Sequence, residues 1–234
     1  MTLEVAEMNL QERLNRLDAF IAEDRLIRNA WEGERDGREV ACLLAALSPE
    51  AGEAKEASVC PADVMPAWLA NLTVFIDDRG SLAKWPGVVR RYANLARRWR
   101  VLDAETWRRL DYACRAVAVR EARRHTDHTG VLAAIDGVLA LLDRAAAGES
   151  IAEAEWSKVA GEAWAAGAAE VAAGAAGAAE VAAGAAEVAA GAAEVAASWA
   201  WAASWAWAAA AAADLIIDGV MDAIEAAVML AESA

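Results

Sequence analysis

Apolar residues recur along most of this chain at helical spacing. Leu10, Leu14, Leu17 and Ile21 stand at i, i+4, i+7 and i+11 and predict a helix over 9–31. "GREVACLLAALS" (37–48) reads as a short, mostly buried helix closed by Ser48-Pro49, and "PEAGEAKEAS" (49–58) as a polar loop. "PAWLANLTVFIDD" (66–78) opens with a proline in the first turn, as a helix start tolerates, and Arg79-Gly80 ends it. Over 82–100 the stripe is Trp85, Val88, Tyr92, Leu95 and Trp99. Asp103 then caps a helix over 104–124 with the stripe Trp107, Leu110, Cys114 and Val117. "HTDHTG" (125–130) is a turn, and a further helix over 131–148 stops at Gly148. "SIAE" (150–153) has the form of a capping box, so the next helix is expected to start at Ser150. Asp214 is expected to cap a last amphipathic helix. Its apolar stripe is Ile217, Met221, Ile224 and Val228, and its acidic stripe is Asp214, Asp218, Asp222 and Glu225. No run shows period-two alternation, so no strand is predicted.

Between these helices the pattern changes to a repeat. In "GAAEVAAGAAEVAAS" (184–198) a seven-residue phrase occurs twice. With Val181, Val188 and Val195 at position a, Gly184, Gly191 and Ser198 fall at d and Glu187 and Glu194 at g; every other position is Ala. Apolar or small residues at a and d every seven residues form a coiled-coil seam, and small residues at d permit close approach. Gly177 belongs to a three-residue insertion that overwinds such a coil locally. The five glycines from Gly167 to Gly191 would cost roughly 5 kcal/mol in an exposed helix, which close packing against another helix would offset. Tolerated expansion of the repeat is the competing account. Trp199, Trp201, Trp205 and Trp207 follow and cover most of the circumference of a helix, the mark of a buried one. An unbroken helix from 150 to 213 would run about 96 Å, so the segment either projects or folds back as a hairpin. Residues 195–213 carry no charge and just reach the length of a membrane span. Alanine is only weakly apolar, however, the tryptophans are central, and no Lys or Arg flanks the segment, so no membrane partner is expected.

The fold expected is therefore all-α. It comprises a helical domain over 1–148, an Ala-rich heptad segment over 149–213 and a C-terminal amphipathic helix over 214–234. Charge divides the chain differently. Of a net −14, ten carboxylates and no basic residue lie after Lys158. The opposite extreme is the window 90–124, with eleven arginines against Asp103, Glu105, Asp111 and Glu121. Arg90, Arg91, Arg97, Arg98, Arg108, Arg109 and Arg115 form a candidate basic face, because guanidinium matches phosphate in a bidentate fork. The competing reading is a solvated face, or one paired with the chain's own acidic stripe. Overall negative charge disfavours non-specific nucleic-acid affinity.

Catalytic chemistry has little to stand on. Cys42, Cys60 and Cys114 are odd in number and irregularly spaced, which suggests buried thiols in a reducing compartment. The acidic, amphipathic start "MTLEVAEMNLQERL" is unlike a signal peptide, so a cytoplasmic location is expected. His125, Asp127 and His128 have metal-ligand chemistry but sit in a turn with no fourth ligand nearby in sequence. No nucleophile–base order, P-loop or dinucleotide fingerprint stands out, and no cofactor or metal is expected.

The stretch from "CPADVMPAWLANLTVFIDD" through "WPGVVRRYANLARRWRVLDAETWRRLDYACRAVAVREARRHT" resembles alanine-rich helical proteins of bacterial and phage genomes. Those pair a helical N-terminal region with a variable Ala-rich repeat. The resemblance spans roughly residues 10–150 and implies a mobile-element setting without an activity. The expectation is a non-enzymatic interaction or assembly protein that acts through helix packing, by self-association or with another protein. Two alternatives are an acidic inhibitor that mimics a polyanion and an Arg-face binder of nucleic acid or phosphate.

Overall fold

The computed structural model describes residues 8–172 and 210–233, and over these it is mostly helical. Its contacts group into two compact units, Met1–Val101 and Leu102–Ala234. The division falls inside the stretch that the sequence reads as one helical domain. The heptad residues Val181, Gly184, Val188, Gly191, Val195 and Ser198 lie outside the described residues, as do Trp199, Trp201, Trp205 and Trp207.

In the first unit, α1 (Leu10–Ala22) begins with a capping box. Asn9 Oδ1 accepts the Glu12 N–H at 3.1 Å, and Glu12 Oε2 accepts the Asn9 N–H at 2.8 Å. Leu14, Leu17 and Phe20 are buried. The helix expected to reach residue 31 stops nine residues earlier. Asp24 turns to φ 53°, and the chain runs extended so that Ile27 and Arg25 bond the backbone of Ala41. The expectation of no strand is also corrected. β1 (Glu32–Arg35) and β2 (Arg38–Ala41) form an antiparallel hairpin in which Arg35 faces Arg38. Asp36 and Gly37 turn it at φ 56° and 72°, the paired left-handed geometry of a type I′ turn. All four residues of β1 are exposed, so no buried face leaves an alternating apolar pattern in the sequence.

β2 leads into α2 (Leu43–Leu47), which is buried throughout. The predicted loop 49–58 contains another helix, α3 (Pro49–Ala54), and a 3-10 turn at Ala57–Val59. α3 lies close to α2: a Cβ on Gly52 would stand 2.8 Å from that of Ala45. Arg13, almost wholly buried on α1, clasps Glu50 of α3 with two hydrogen bonds of 2.7 and 2.5 Å, and Ser48 donates a third at 3.0 Å. α4 (Ala67–Arg79) and α5 (Trp85–Arg98) complete the unit. The hydroxyls of Thr73 and Tyr92 are 2.9 Å apart in the core, where the Tyr92 ring meets Trp99 edge-on at 5.5 Å. Trp85 of the predicted stripe is only half-buried.

In the second unit Asp103 caps α6 (Ala104–Arg123), as predicted, by accepting the Thr106 N–H at 2.7 Å. α7 (Thr129–Ala146) runs antiparallel to it, with Arg123 beside Asp136 and Arg120 beside Asp143. Gly148 at φ 96° ends α7 as predicted. It donates to the Ala145 carbonyl, and Glu149 donates to that of Arg144, the paired bonds of a Schellman closure. α8 (Glu153–Ala172) starts three residues beyond the expected Ser150. Arg144 gathers Glu149 and Glu155, and this ion-pair cluster fixes the loop before the helix. Tyr112 of α6 and Trp156 of α8 stack at 6.1 Å over a core of Ala116, Val119, Val131, Ile135, Val138 and Leu142. The last described helix, α9 (Ala210–Glu232), packs on α6. Its expected stripe of Ile217, Met221, Ile224 and Val228 is buried. Asp214, however, is no cap: the chain is already helical at Ala210, and Asp214 lies buried within the helix.

Candidate functional site

The seven arginines of the candidate face divide between the units, Arg90 to Arg98 on α5 and Arg108 to Arg115 on α6. Several are tied to acceptors within their own unit. Arg97 pairs with Asp18 of α1. Arg108 grips Glu105 through two hydrogen bonds of 2.9 and 2.7 Å. Arg109 donates to the Ala146 carbonyl at 2.9 Å. Arg115 is 5% exposed and holds Asp111 at 2.8 and 2.7 Å, so it belongs to the interior rather than to a surface. Further along α6, Arg120, Arg123 and Arg124 pair with Asp143, Asp136 and Glu121. Asp18, Asp136 and Asp143 lie outside the window 90–124. A charge count over that window cannot find them, although the antiparallel α6–α7 pairing brings two of them there.

The remaining candidate groups are local structural parts. His125 Nε2 lies 3.2 Å from Glu121 Oε1 on the last turn of α6. His128 Nδ1 accepts the Val131 N–H at 3.4 Å and caps α7, while Asp127 is exposed. Among the described residues no three His, Cys, Asp or Glu side chains gather as metal ligands. Cys42, Cys60 and Cys114 are buried and unbridged. Burial pushes the Cys42 thiol up to about 12 and raises the other two, which withholds the reactive thiolate at neutral pH.

α9 has a different character. It packs on α6 and buries Ile217, Met221, Ile224 and Val228, yet Leu215, Met229 and Leu230 are 50%, 58% and 74% exposed. Helical geometry sets Leu215, Ala226, Met229 and Leu230 within about 60° of one line, opposite Ile217 and Ile224; the exposed Asp222 lies on the same line, and Gly219 at its edge faces Val117 of α6. Sequence reading found the buried stripe and an acidic stripe through Asp218, Asp222 and Glu225, and missed the exposed Leu215, Met229 and Leu230 beside it, because it sought a single apolar face per helix. α9 also carries Asp214, Asp218, Asp222, Glu225 and Glu232, and no basic residue follows Lys158. No described helix is long and apolar enough to cross a membrane. No family model, curated protein or solved structure matches the chain.

Proposed function

We propose that this is a non-enzymatic interaction and assembly protein whose C-terminal third is the contact element. The observation that carries the reading is the exposure of Leu215, Met229 and Leu230 on α9. A helix that buries one face and still presents Leu215, Met229 and Leu230 is suited to a further packing partner. The heptad from Val181 to Ser198 leads toward the same helix and supplies small residues for a close coiled-coil seam. The resemblance of residues 10–150 to Ala-rich phage proteins supports a mobile-element setting. The arginine-face reading is less well supported, since Arg97, Arg108, Arg109 and Arg115 are engaged within the chain.

The test is solution mass by light scattering after size exclusion, for the full chain and for Gly184→Leu/Gly191→Leu and Met229→Glu/Leu230→Glu. An oligomer that these changes disrupt or re-size is expected; a wild-type monomer across the accessible concentration range rejects self-assembly. Salt separates this reading from polyanion mimicry, which the charge of the C-terminal third also favours. Copies that meet through segments each carrying ten carboxylates repel, so screening strengthens their association. A polyanion mimic on a basic partner site weakens as salt rises.

A further inference from the structure

Asp77 is the least expected group in the first unit. It lies on α4, is 1% exposed and faces the N-terminus of α2. Its Oδ2 accepts the Leu43 N–H at 3.2 Å, while Oδ1 is buried and meets no hydrogen-bond partner. The neighbouring cation does not neutralise it. The Arg28 guanidinium donates instead to the backbone carbonyls of Asp77 and Gly80. Asp78, the next residue, adds a second negative charge, and its Oδ1 accepts the Asn29 N–H at 2.6 Å. The other titratable groups around Asp77 are uncharged. Cys42 and Cys60 are buried thiols raised by burial, and the Tyr92 hydroxyl, also raised by burial, is bonded to Thr73. An ionised carboxylate here would hold the 3.2 Å bond from the Leu43 N–H and a weak one from the Cys42 thiol in place of water. A buried charge without a partner is strongly disfavoured, whereas a neutral carboxyl is tolerated.

We propose that Asp77 is a proton-operated latch: as the neutral acid it holds α2 against α4, and loss of its proton drives that contact open. Desolvation is the largest reason that its carboxyl is pushed up to about 8; Asp78 adds to it, and the Leu43 N–H, Arg28 and Cys42 oppose it. A carboxyl freed to water titrates near ~4. Between those values the closed state holds one proton more than the open state. Opening therefore becomes about tenfold more favourable per pH unit and levels off above the upper value. The direction is opposite to that of a salt-bridged carboxylate, which stabilises as pH rises. The latch is independent of how the C-terminal third assembles.

The experiment follows the Leu43 amide in the full chain by hydrogen exchange, with the intrinsic pH dependence divided out, in the wild type and in Asp77→Asn. Asn keeps the shape and the acceptor for Leu43 and has no proton to lose. The wild-type protection factor is expected to fall about tenfold per pH unit between roughly pH 5 and 7.5 and to stay level in Asp77→Asn. The Asp77 carboxyl carbon, followed by NMR in the wild type alone, is expected to titrate near 8, which keeps the test decisive should Asp77→Asn not fold. A wild-type protection factor that does not change with pH, or a carboxyl midpoint in the ordinary range near ~4, overturns the proposal.

Discussion

Gly219 on α9 offers the sharpest check on how the second unit is built. A Cβ placed there would stand 2.7 Å from Val117 Cγ1, 3.4 Å from Cγ2 and 3.7 Å from Cβ. Carbon atoms pack best at about 3.5–4.0 Å, so the first contact is nearly an ångström too close. Val117 cannot turn aside cheaply, because a β-branched residue in a helix has one strongly preferred rotamer. Relief must come from α6 and α9 moving apart, an overpacking cost of about 1–3 kcal/mol. Against it stands the helix gain of alanine over glycine, about 1 kcal/mol. Gly219→Ala is therefore expected to weaken α9 docking by about 0–2 kcal/mol. Gly161→Ala is the control. It lies inside α8 with no heavy atom within 4 Å of the new methyl, so the same gain arrives unopposed. The difference between the two variants isolates the steric cost, at about 1–3 kcal/mol. Hydrogen exchange of the α9 amides is the assay, since a chain of two units has no single unfolding free energy. The added substitution Val117→Ala should restore protection to Gly219→Ala. If Gly219→Ala protects α9 as much as Gly161→Ala protects α8, the close α6–α9 approach is wrong.

Two predictions concern the first unit. Removing Arg13 as Arg13→Ala strands the half-buried Glu50 and should destabilise the unit by about 3 kcal/mol, read from hydrogen exchange of the α1 and α3 amides, the cost of breaking a buried pair. The Arg13 hydrogen bonds hold the Glu50 carboxyl down to about 2, so the pair's stabilisation is present above ~4.5 and is lost as pH falls toward 2. Arg13→Ala should lack that acid limb, and an unchanged limb would assign it to another carboxylate. At the hairpin, Gly37→Ala forces a Cβ into φ 72° and should cost about 1 kcal/mol, seen as faster exchange over residues 32–41 with α4 and α5 unaffected.

The helices legible in the sequence were those that bury one regular stripe and carry a local stop or start. α6 announced itself through Asp103, α7 through Gly148, and the inner face of α9 through Ile217, Met221, Ile224 and Val228. The hairpin was legible too, but in its Asp36-Gly37 turn rather than in its hydrophobic pattern: an exposed ribbon of Glu, Gly and Arg has no inner face to alternate. α3 hid behind polar residues because it is held by the close approach of Ala45 and Glu32 at Gly52 and by the Arg13–Glu50 clasp, neither of which produces a periodic signal. Asp214 misled because an aspartate before an apolar run reads as a cap, while preceding alanines extend a helix at little cost.

Charge was the hardest property to read locally, and for one physical reason. Coulomb partners are chosen by the fold, not by sequence distance. The window 90–124 looked like a surplus of cations awaiting a ligand, yet α1 and α7 supply Asp18, Asp136 and Asp143 from outside it. Asp77 shows the converse. It sits two residues from Arg79 in sequence and within reach of Arg28, and its carboxylate still has no cation. Arg13, Arg97, Arg120 and Arg123 are spent on holding helices together, while one buried acid is left without a counter-ion. The chain after Lys158 carries ten carboxylates and no basic residue, so an apolar contact between two copies of α9 would form against repulsion between like-charged segments. Salt-strengthened association is therefore the response by which this architecture, rather than a ligand-binding basic face, would be recognised.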